Sequence, residues 1–183
     1  HHFISETNVE AMFLRLHDLD GDGDRDVVVP MRLNELSARF KNANTANPNQ
    51  NPSRLRWYER LDTTGKKWRS QEIAYPADVG KSKGTAVGDI NGDGRLDIVL
   101  SHASANAPLS GMVWLSYKNS VFDTVWQRHE ISGPNGSKYD RVELLDFDGD
   151  GDLDAMTTEE NFGNDSLGLG AIWYENPSVQ KEI

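Results

Sequence analysis

Three short stretches of the sequence carry oxygen-bearing side chains at a spacing that could hold a metal ion. They are loop one (residues 18–26), loop two (89–97) and loop three (146–154), which align without gaps and start 71 and 57 residues apart. Five, three and five acidic residues fall in them, out of 29 in the chain. Carboxylates this crowded repel one another unless a cation neutralises them. The pattern therefore indicates cation binding.

Calcium is the cation that fits this pattern. It takes about six to eight oxygen ligands, and a tight loop can turn the side chains of positions one, three and five inward. Glycine at position six allows the turn that brings the carbonyl of position seven close, and position nine adds a last carboxylate. The sequence predicts one Ca²⁺ per loop, about three per chain. The predicted side-chain ligands are Asp18, Asp20, Asp22 and Asp26; Asp89, Asn91, Asp93 and Asp97; and Asp146, Asp148, Asp150 and Asp154. The predicted carbonyl ligands belong to Asp24, Arg95 and Asp152.

An EF-hand is the main alternative for such a loop, and the sequence excludes it. An EF-hand needs a bidentate Glu at position twelve and a helix on each side. Position twelve is Val29, Leu100 or Thr157, each inside an apolar, strand-like run.

Composition narrows the classes of partner. The net charge is −10, which disfavours nucleic acid because phosphate binding needs a basic face. No apolar run is long enough to cross a bilayer. The chain has no cysteine, which excludes disulfides, thiolate metal sites and cysteine nucleophiles.

The loops lie within a longer repeat that must position them. After each loop come an apolar run and then an aromatic strand with Trp57, Trp114 or Trp173 at the matched position. This alternation predicts an all-β fold, a β-propeller with three blades of four strands. We expect blade one at about 9–76, blade two at about 77–133 and blade three at about 134–183. Residues 2–5 resemble residues 129–132 and are predicted as a displaced outer strand of blade three.

Three blades fall below the usual range of about four to eight. We therefore expect this chain to be part of a larger ring, or to assemble head to tail with further copies.

The repeat resembles the FG-GAP/VCBS repeat, the calcium-carrying blade of integrin α-subunit propellers and of many bacterial secreted and surface proteins. The Asp-x-[Asp/Asn]-Gly-Asp-Gly-x-x-Asp loops carry the resemblance, which covers almost the whole chain. The Gly-Ala-Pro signature that helps name the family is absent as such. The resemblance implies the propeller fold, bound calcium and a secreted, periplasmic or cell-surface location.

The ligand is less defined than the metal. The first hypothesis is a non-catalytic binding module for glycan or protein. A polysaccharide lyase is the alternative, with Tyr139 or His102 as base and Arg141 or Lys83 as the cation facing a uronate. A purely structural assembly unit is the third. The candidate ligand-contacting residues are Lys83, His102, Tyr139, Arg141, Glu159, Glu160 and Asn161.

Overall fold

The computed structural model describes residues 1–6, 9–33, 53–160 and 168–177. This part of the chain forms strands arranged in three sheets and contains no helix. The predicted all-β class is confirmed. Among the described residues, accordingly, no helix is long and apolar enough to span a membrane.

Each sheet contains one of the three loops. Sheet one consists of β1 (Val9–Ala11), β2 (Arg15–His17), β3 (Asp26–Leu33), β4 (Ser53–Arg60) and β5 (Trp68–Ile73). Sheet two consists of β6 (Lys81–Gly88), β7 (Asp97–Ala103), β8 (Met112–Ser116) and β9 (Gln127–Glu130). Sheet three consists of β10 (Tyr139–Leu145), β11 (Asp154–Glu159) and β12 (Gly170–Tyr174). All pairings within the sheets are antiparallel, and the loops join β2 to β3, β6 to β7 and β10 to β11.

The core lies between the sheets because both faces of a strand are apolar. In β7, Ile98 and Leu100 pack toward sheet one, whereas Val99 between them packs toward sheet three. In β3, Val28 joins the core with sheet two, while Val27 and Val29 face the far side of sheet one. Side chains alternate between the faces of a strand, so consecutive β-branched residues serve two cores at once.

Polar contacts also hold neighbouring sheets together. Arg32 of β3 donates from Nε and Nη2 to the carbonyl of Ser82 in β6, at 2.8 and 2.5 Å. Arg15 of β2 forms an ion pair with Glu143 of β10 at 2.9 Å. The first strands of the three sheets therefore lie close to one another.

The three matched tryptophans differ in how well they are covered. Trp57 is fully buried and contacts Phe122 of sheet two, with 5.1 Å between the ring centroids. Trp114 is half-buried and packs against the core shared by sheets two and three. Trp173 is 37% exposed. Among the described residues, no further sheet follows sheet three, which explains this gradient.

Residues 2–5 form no strand within the single chain. Ile4 packs against the far face of sheet one, on the cluster that contains Val27, Val29 and Tyr58. Phe3 is 81% exposed. The predicted pairing of this segment with the third unit is thus not formed inside one chain, and its pairing with another copy remains a prediction.

Candidate metal-binding loops

Two glycines fold each loop back on itself. In loop one, Gly21 and Gly23 have φ angles of +78° and +94°. This left-handed region is costly for residues with a Cβ, so glycine is needed at positions four and six. The glycines at the same positions of the other loops are Gly92, Gly94, Gly149 and Gly151, all with positive φ.

The carboxylate at position one holds this turn. In loop one, Asp18 accepts the N–H of Gly21 at 2.8 Å on one oxygen and the N–H of Gly23 at 2.9 Å on the other. Asp146 of loop three accepts the equivalent pair from Gly149 and Gly151. Asp89 of loop two accepts instead from Asp93 and Gly94. Hydrogen bonds from the loop's own backbone N–H groups thus hold the position-one carboxylate in place.

Positions three and five turn their side chains toward the same point. Each accepts the N–H two residues ahead, as when Asp22 accepts from Asp24 at 2.8 Å. One carboxylate oxygen each from Asp18, Asp20 and Asp22 lies within 4.8 Å of the other two. The same holds for Asp146, Asp148 and Asp150 of loop three.

Loop two has an amide in place of one carboxylate. Asn91 holds position three, and its Oδ1 accepts the N–H of Asp93 at 3.0 Å, as the aspartates of the other loops do. An amide carbonyl is also an oxygen ligand for Ca²⁺. The donor set of all three loops, carboxylate and amide oxygen, therefore fits a hard divalent cation.

The aspartate at position nine has a second role that the sequence analysis missed. Asp26 is buried and accepts the N–H of Leu19 at 3.2 Å and the N–H of Arg60, at the end of β4, at 2.9 Å. Asp154 likewise accepts from Phe147 and from Asn176, three residues after Trp173. This carboxylate ties the loop to the strand that carries the matched tryptophan, β4 in sheet one and β12 in sheet three. The donors are backbone N–H groups of two unlike residues, Arg60 and Asn176, so no residue type in the sequence marks this contact.

The position-nine aspartates lie outside the two groups of converging carboxylates. A carboxylate has about four lone-pair sites, so two backbone bonds leave acceptor capacity for an ion. The side chain of Asp24, at position seven, lies 3.4 Å from Arg60. The guanidinium of Arg95 lies 5.6 Å from the ring centroid of Tyr117.

Burial and mutual repulsion make it unfavourable for all carboxyl groups of a loop to be ionised together. Burial raises the pKa of Asp97 to about 7, and the carboxylates of Asp93 and Asp89 add to this rise. Burial also raises the pKa of Asp20, with Asp26 and Asp22 contributing.

Three of the predicted ligand-contacting residues are buried structural groups. His102 and Tyr139 are fully buried, and Glu159 is almost so. His102 donates from Nδ1 to the carbonyl of Gly111 at 3.0 Å, and Tyr139 packs where Gly111 has no side chain. Glu159 accepts three backbone N–H groups, from Ser137, Lys138 and Leu169. As placed here, none of the three can touch a polysaccharide, so the arrangement does not favour the lyase alternative.

The other predicted contacts lie nearer the surface. Lys83 pairs with Asp140 at 2.7 Å, and Glu160 pairs with Lys138 at 2.6 Å. Arg141 is exposed and pairs with Glu143. Asn161 lies outside the described residues.

A cleft of about 430 Å³ opens between sheets two and three. Both sheets contribute aromatic and aliphatic side chains to its lining, together with two carboxylates and an amide. The lining includes Trp114, Ile131, Ala155, Trp173, Tyr174, Glu130, Glu175 and Asn176. The sequence analysis did not predict this cleft, because it depends on how two sheets pack.

The sequence family of the loops can now be stated. The model of the FG-GAP-like repeat matches residues 18–100, from the start of loop one to the middle of β7. No curated protein matches the chain as a relative. The matched segment holds the first two loops and strands β3 to β6, so residues 18–100 are of the FG-GAP-like repeat type.

Proposed function

We propose that the chain is a calcium-stabilised, non-catalytic binding module in which each of the three loops binds one Ca²⁺. The observation that carries the proposal is the convergence of side-chain oxygens from Asp18, Asp20 and Asp22 within 4.8 Å, with its repetition in loop three. Such groups repel one another in the absence of a cation. The hydrogen bonds from backbone N–H groups orient them at little further entropic cost on binding.

The same proposal places the three sheets as consecutive blades of a β-propeller. Within each sheet the long strands lie side by side in the order in which they occur in the chain. Each sheet packs on the next through an apolar face. The family match supports this architecture for the first two sheets. An extracytoplasmic location suits the loops, because Ca²⁺ outside the cell is plentiful enough for sites of about 10⁻⁴–10⁻³ M affinity.

The ligand of the module is a polypeptide rather than a glycan in this proposal. The groove between sheets one and two, over Trp57, is filled by the chain's own Phe122 and Val121. The cleft over Trp114, between sheets two and three, is the corresponding groove. Because side chains of the protein itself fill the groove over Trp57, the corresponding cleft over Trp114 is suited to the side chains of a polypeptide ligand.

Calorimetric titration of chelator-treated protein with Ca²⁺ tests the metal sites. We expect about three ions per chain, and about two for each of Asp22→Ala, Asp93→Ala and Asp150→Ala. Glu10→Ala, which removes an exposed acid outside the loops, is the matched control and should leave the number at three. A folded wild-type protein that binds no Ca²⁺ would contradict the proposal.

A further inference from the structure

The outer edge of sheet three carries no strand among the described residues. In sheets one and two the strand with the matched tryptophan pairs with an outer strand, β4 with β5 and β8 with β9. The corresponding strand of sheet three is β12, which within the described part of the chain pairs only with β11. A free edge presents unpaired N–H and C=O groups and invites another strand.

The cross-strand partner of the matched tryptophan is also missing there. In sheet two, His129 of β9 stacks on Trp114, with ring centroids 3.8 Å apart and an interplanar angle of 12°. In sheet three, Trp173 contacts Phe147 but has no such partner on its open edge, and it is 37% exposed. The cleft of about 430 Å³ begins beside this edge.

The N-terminal segment lies where a fourth strand of a preceding sheet would end. Ile73, at the end of β5, packs into the core between sheets one and two. Ile131, just after β9, packs against the core between sheets two and three. Ile4 packs against the far face of sheet one in the same manner. Residues His2-Phe3-Ile4-Ser5 also align with His129-Glu130-Ile131-Ser132.

We propose that residues 2–5 of a second copy of this chain add to β12 as the fourth strand of sheet three. The register of sheet two, in which Trp114 faces His129 and Val113 faces Glu130, would then place His2 opposite Trp173 and Phe3 opposite Ile172. Ile172 and Tyr174 face the core shared with sheet two, so Phe3 enters the cleft. Phe3 loses its exposure, and Trp173 gains an imidazole to stack on.

A second copy is the occupant because one chain holds both halves of the contact. Sheet one presents residues 2–5 outside any strand, while sheet three presents an edge and a cleft. The lining of the cleft includes Glu175, and Glu130, which pairs with Arg128, whereas the incoming segment has two histidines and no acid before Glu6. The contact is head to tail, so it must close into a ring or grow into a fibre. Two copies would close as a ring of six sheets.

Sedimentation equilibrium over a range of concentrations tests this contact in the presence of Ca²⁺. We expect the wild-type chain to assemble, and Phe3→Asp to raise the dissociation constant at least about tenfold, as for a buried aromatic anchor. Val125→Asp is the matched control. Val125 is 71% exposed and lies between β8 and β9, away from the proposed contact, so this variant should assemble like wild type.

A mixing experiment separates a head-to-tail contact from a symmetric one. Phe3→Asp keeps an intact β12 edge, whereas Trp173→Asp keeps an intact N-terminal segment. Each variant alone should be a monomer, and an equimolar mixture should form a dimer through the one intact contact. A mixture that stays monomeric would overturn the proposal.

Two further outcomes would also overturn it. One is a wild-type chain that remains monomeric at all concentrations, which would assign the cleft to another partner. The other is assembly that Phe3→Asp leaves unchanged, which would place the contact elsewhere. Because the calcium count of each variant is measured separately, failure of this contact is distinguishable from failure of the metal sites.

Discussion

His102 shows how a polar residue can be held inside an interface between sheets. It lies in β7, its Nδ1–H donates to the carbonyl of Gly111, and its ring meets that of Tyr75 edge-on at 5.6 Å. Its Nε2 is buried and has no hydrogen-bond partner among the described residues. Burial lowers the pKa of His102 to about 4, and the nearby Arg128 and Arg32 contribute, against the opposing effect of Glu130. The imidazole is therefore neutral in the folded protein at neutral pH.

This burial predicts a loss of stability in mild acid. The unfolded chain binds a proton at His102 near pH 6.5, whereas the folded chain does so only near pH 4. The contribution of His102 to the free energy of unfolding should thus fall by about 2 kcal/mol from pH 7 to pH 5. The raised pKa of Asp97 acts in the opposite sense over this range, so the His102 component is read from the difference in pH dependence between wild type and His102→Asn. Urea unfolding at the two pH values measures it. His102→Asn keeps a donor near Gly111 and should lose this component, whereas His1→Asn, at an exposed position, should retain it.

The aspartates of a loop have two different roles, which the sequence alone does not distinguish. Positions one, three and five converge as candidate metal ligands, whereas position nine binds the loop to a neighbouring strand. The spacing of aspartates and glycines in the sequence predicts that the side chains at positions one, three, five and nine all face the ion. The hydrogen bond that Asp26 accepts from the N–H of Arg60 could not be predicted, because Arg60 lies 34 residues away and reaches the loop only when β3 and β4 pair. The sequence predicts ligand chemistry well where the contacts are local.

The two roles can be measured apart. With a chelator present, Asp26→Ala should lower the free energy of unfolding by about 2 kcal/mol or more, since two backbone donors lose their acceptor. Asp22→Ala should change it little under those conditions, because it removes a repelled carboxylate at the surface. With Ca²⁺ at 100 times its dissociation constant, Asp22→Ala should lose about 2.7 kcal/mol relative to wild type. Equal behaviour of the two variants in chelator would contradict this division.

At the scale of the whole molecule, the position of a sheet in the series determines how deeply equivalent residues are buried and how much they contribute to stability. The periodicity of the sequence predicts the strands and the three matched tryptophans, but it treats the three repeats alike. Trp57 is covered by sheet two, whereas Trp173 meets no following sheet among the described residues. His102 and Tyr139 were expected near a ligand and are instead buried, because packing between sheets cannot be deduced from the order of residues within one.

The matched tryptophans make this difference measurable in the monomer. Trp57→Ala should cost about 3–5 kcal/mol, as expected for a large side chain removed from a closed core. Trp173→Ala should cost about 1 kcal/mol or less at concentrations too low for assembly, because its ring is already partly in water. Denaturant unfolding of both variants at the same low concentration gives the comparison. Similar losses for the two would show that sheet three is covered as well as sheet one.

The pairing of nearly every strand with its neighbour along the chain also has a consequence for folding. Most strand pairs of a sheet are joined by short connections, so forming the sheet costs little loop-closure entropy. Each sheet can therefore nucleate independently of the others. The interfaces between sheets then act as nearest-neighbour couplings, as in linear repeat arrays. Sheet two shares an apolar core with a sheet on each side, whereas sheets one and three each share one such core within the described chain and meet each other through the polar Arg15–Glu143 contact. Sheet two is thus the unit that opens last, and local unfolding proceeds from the two ends inward.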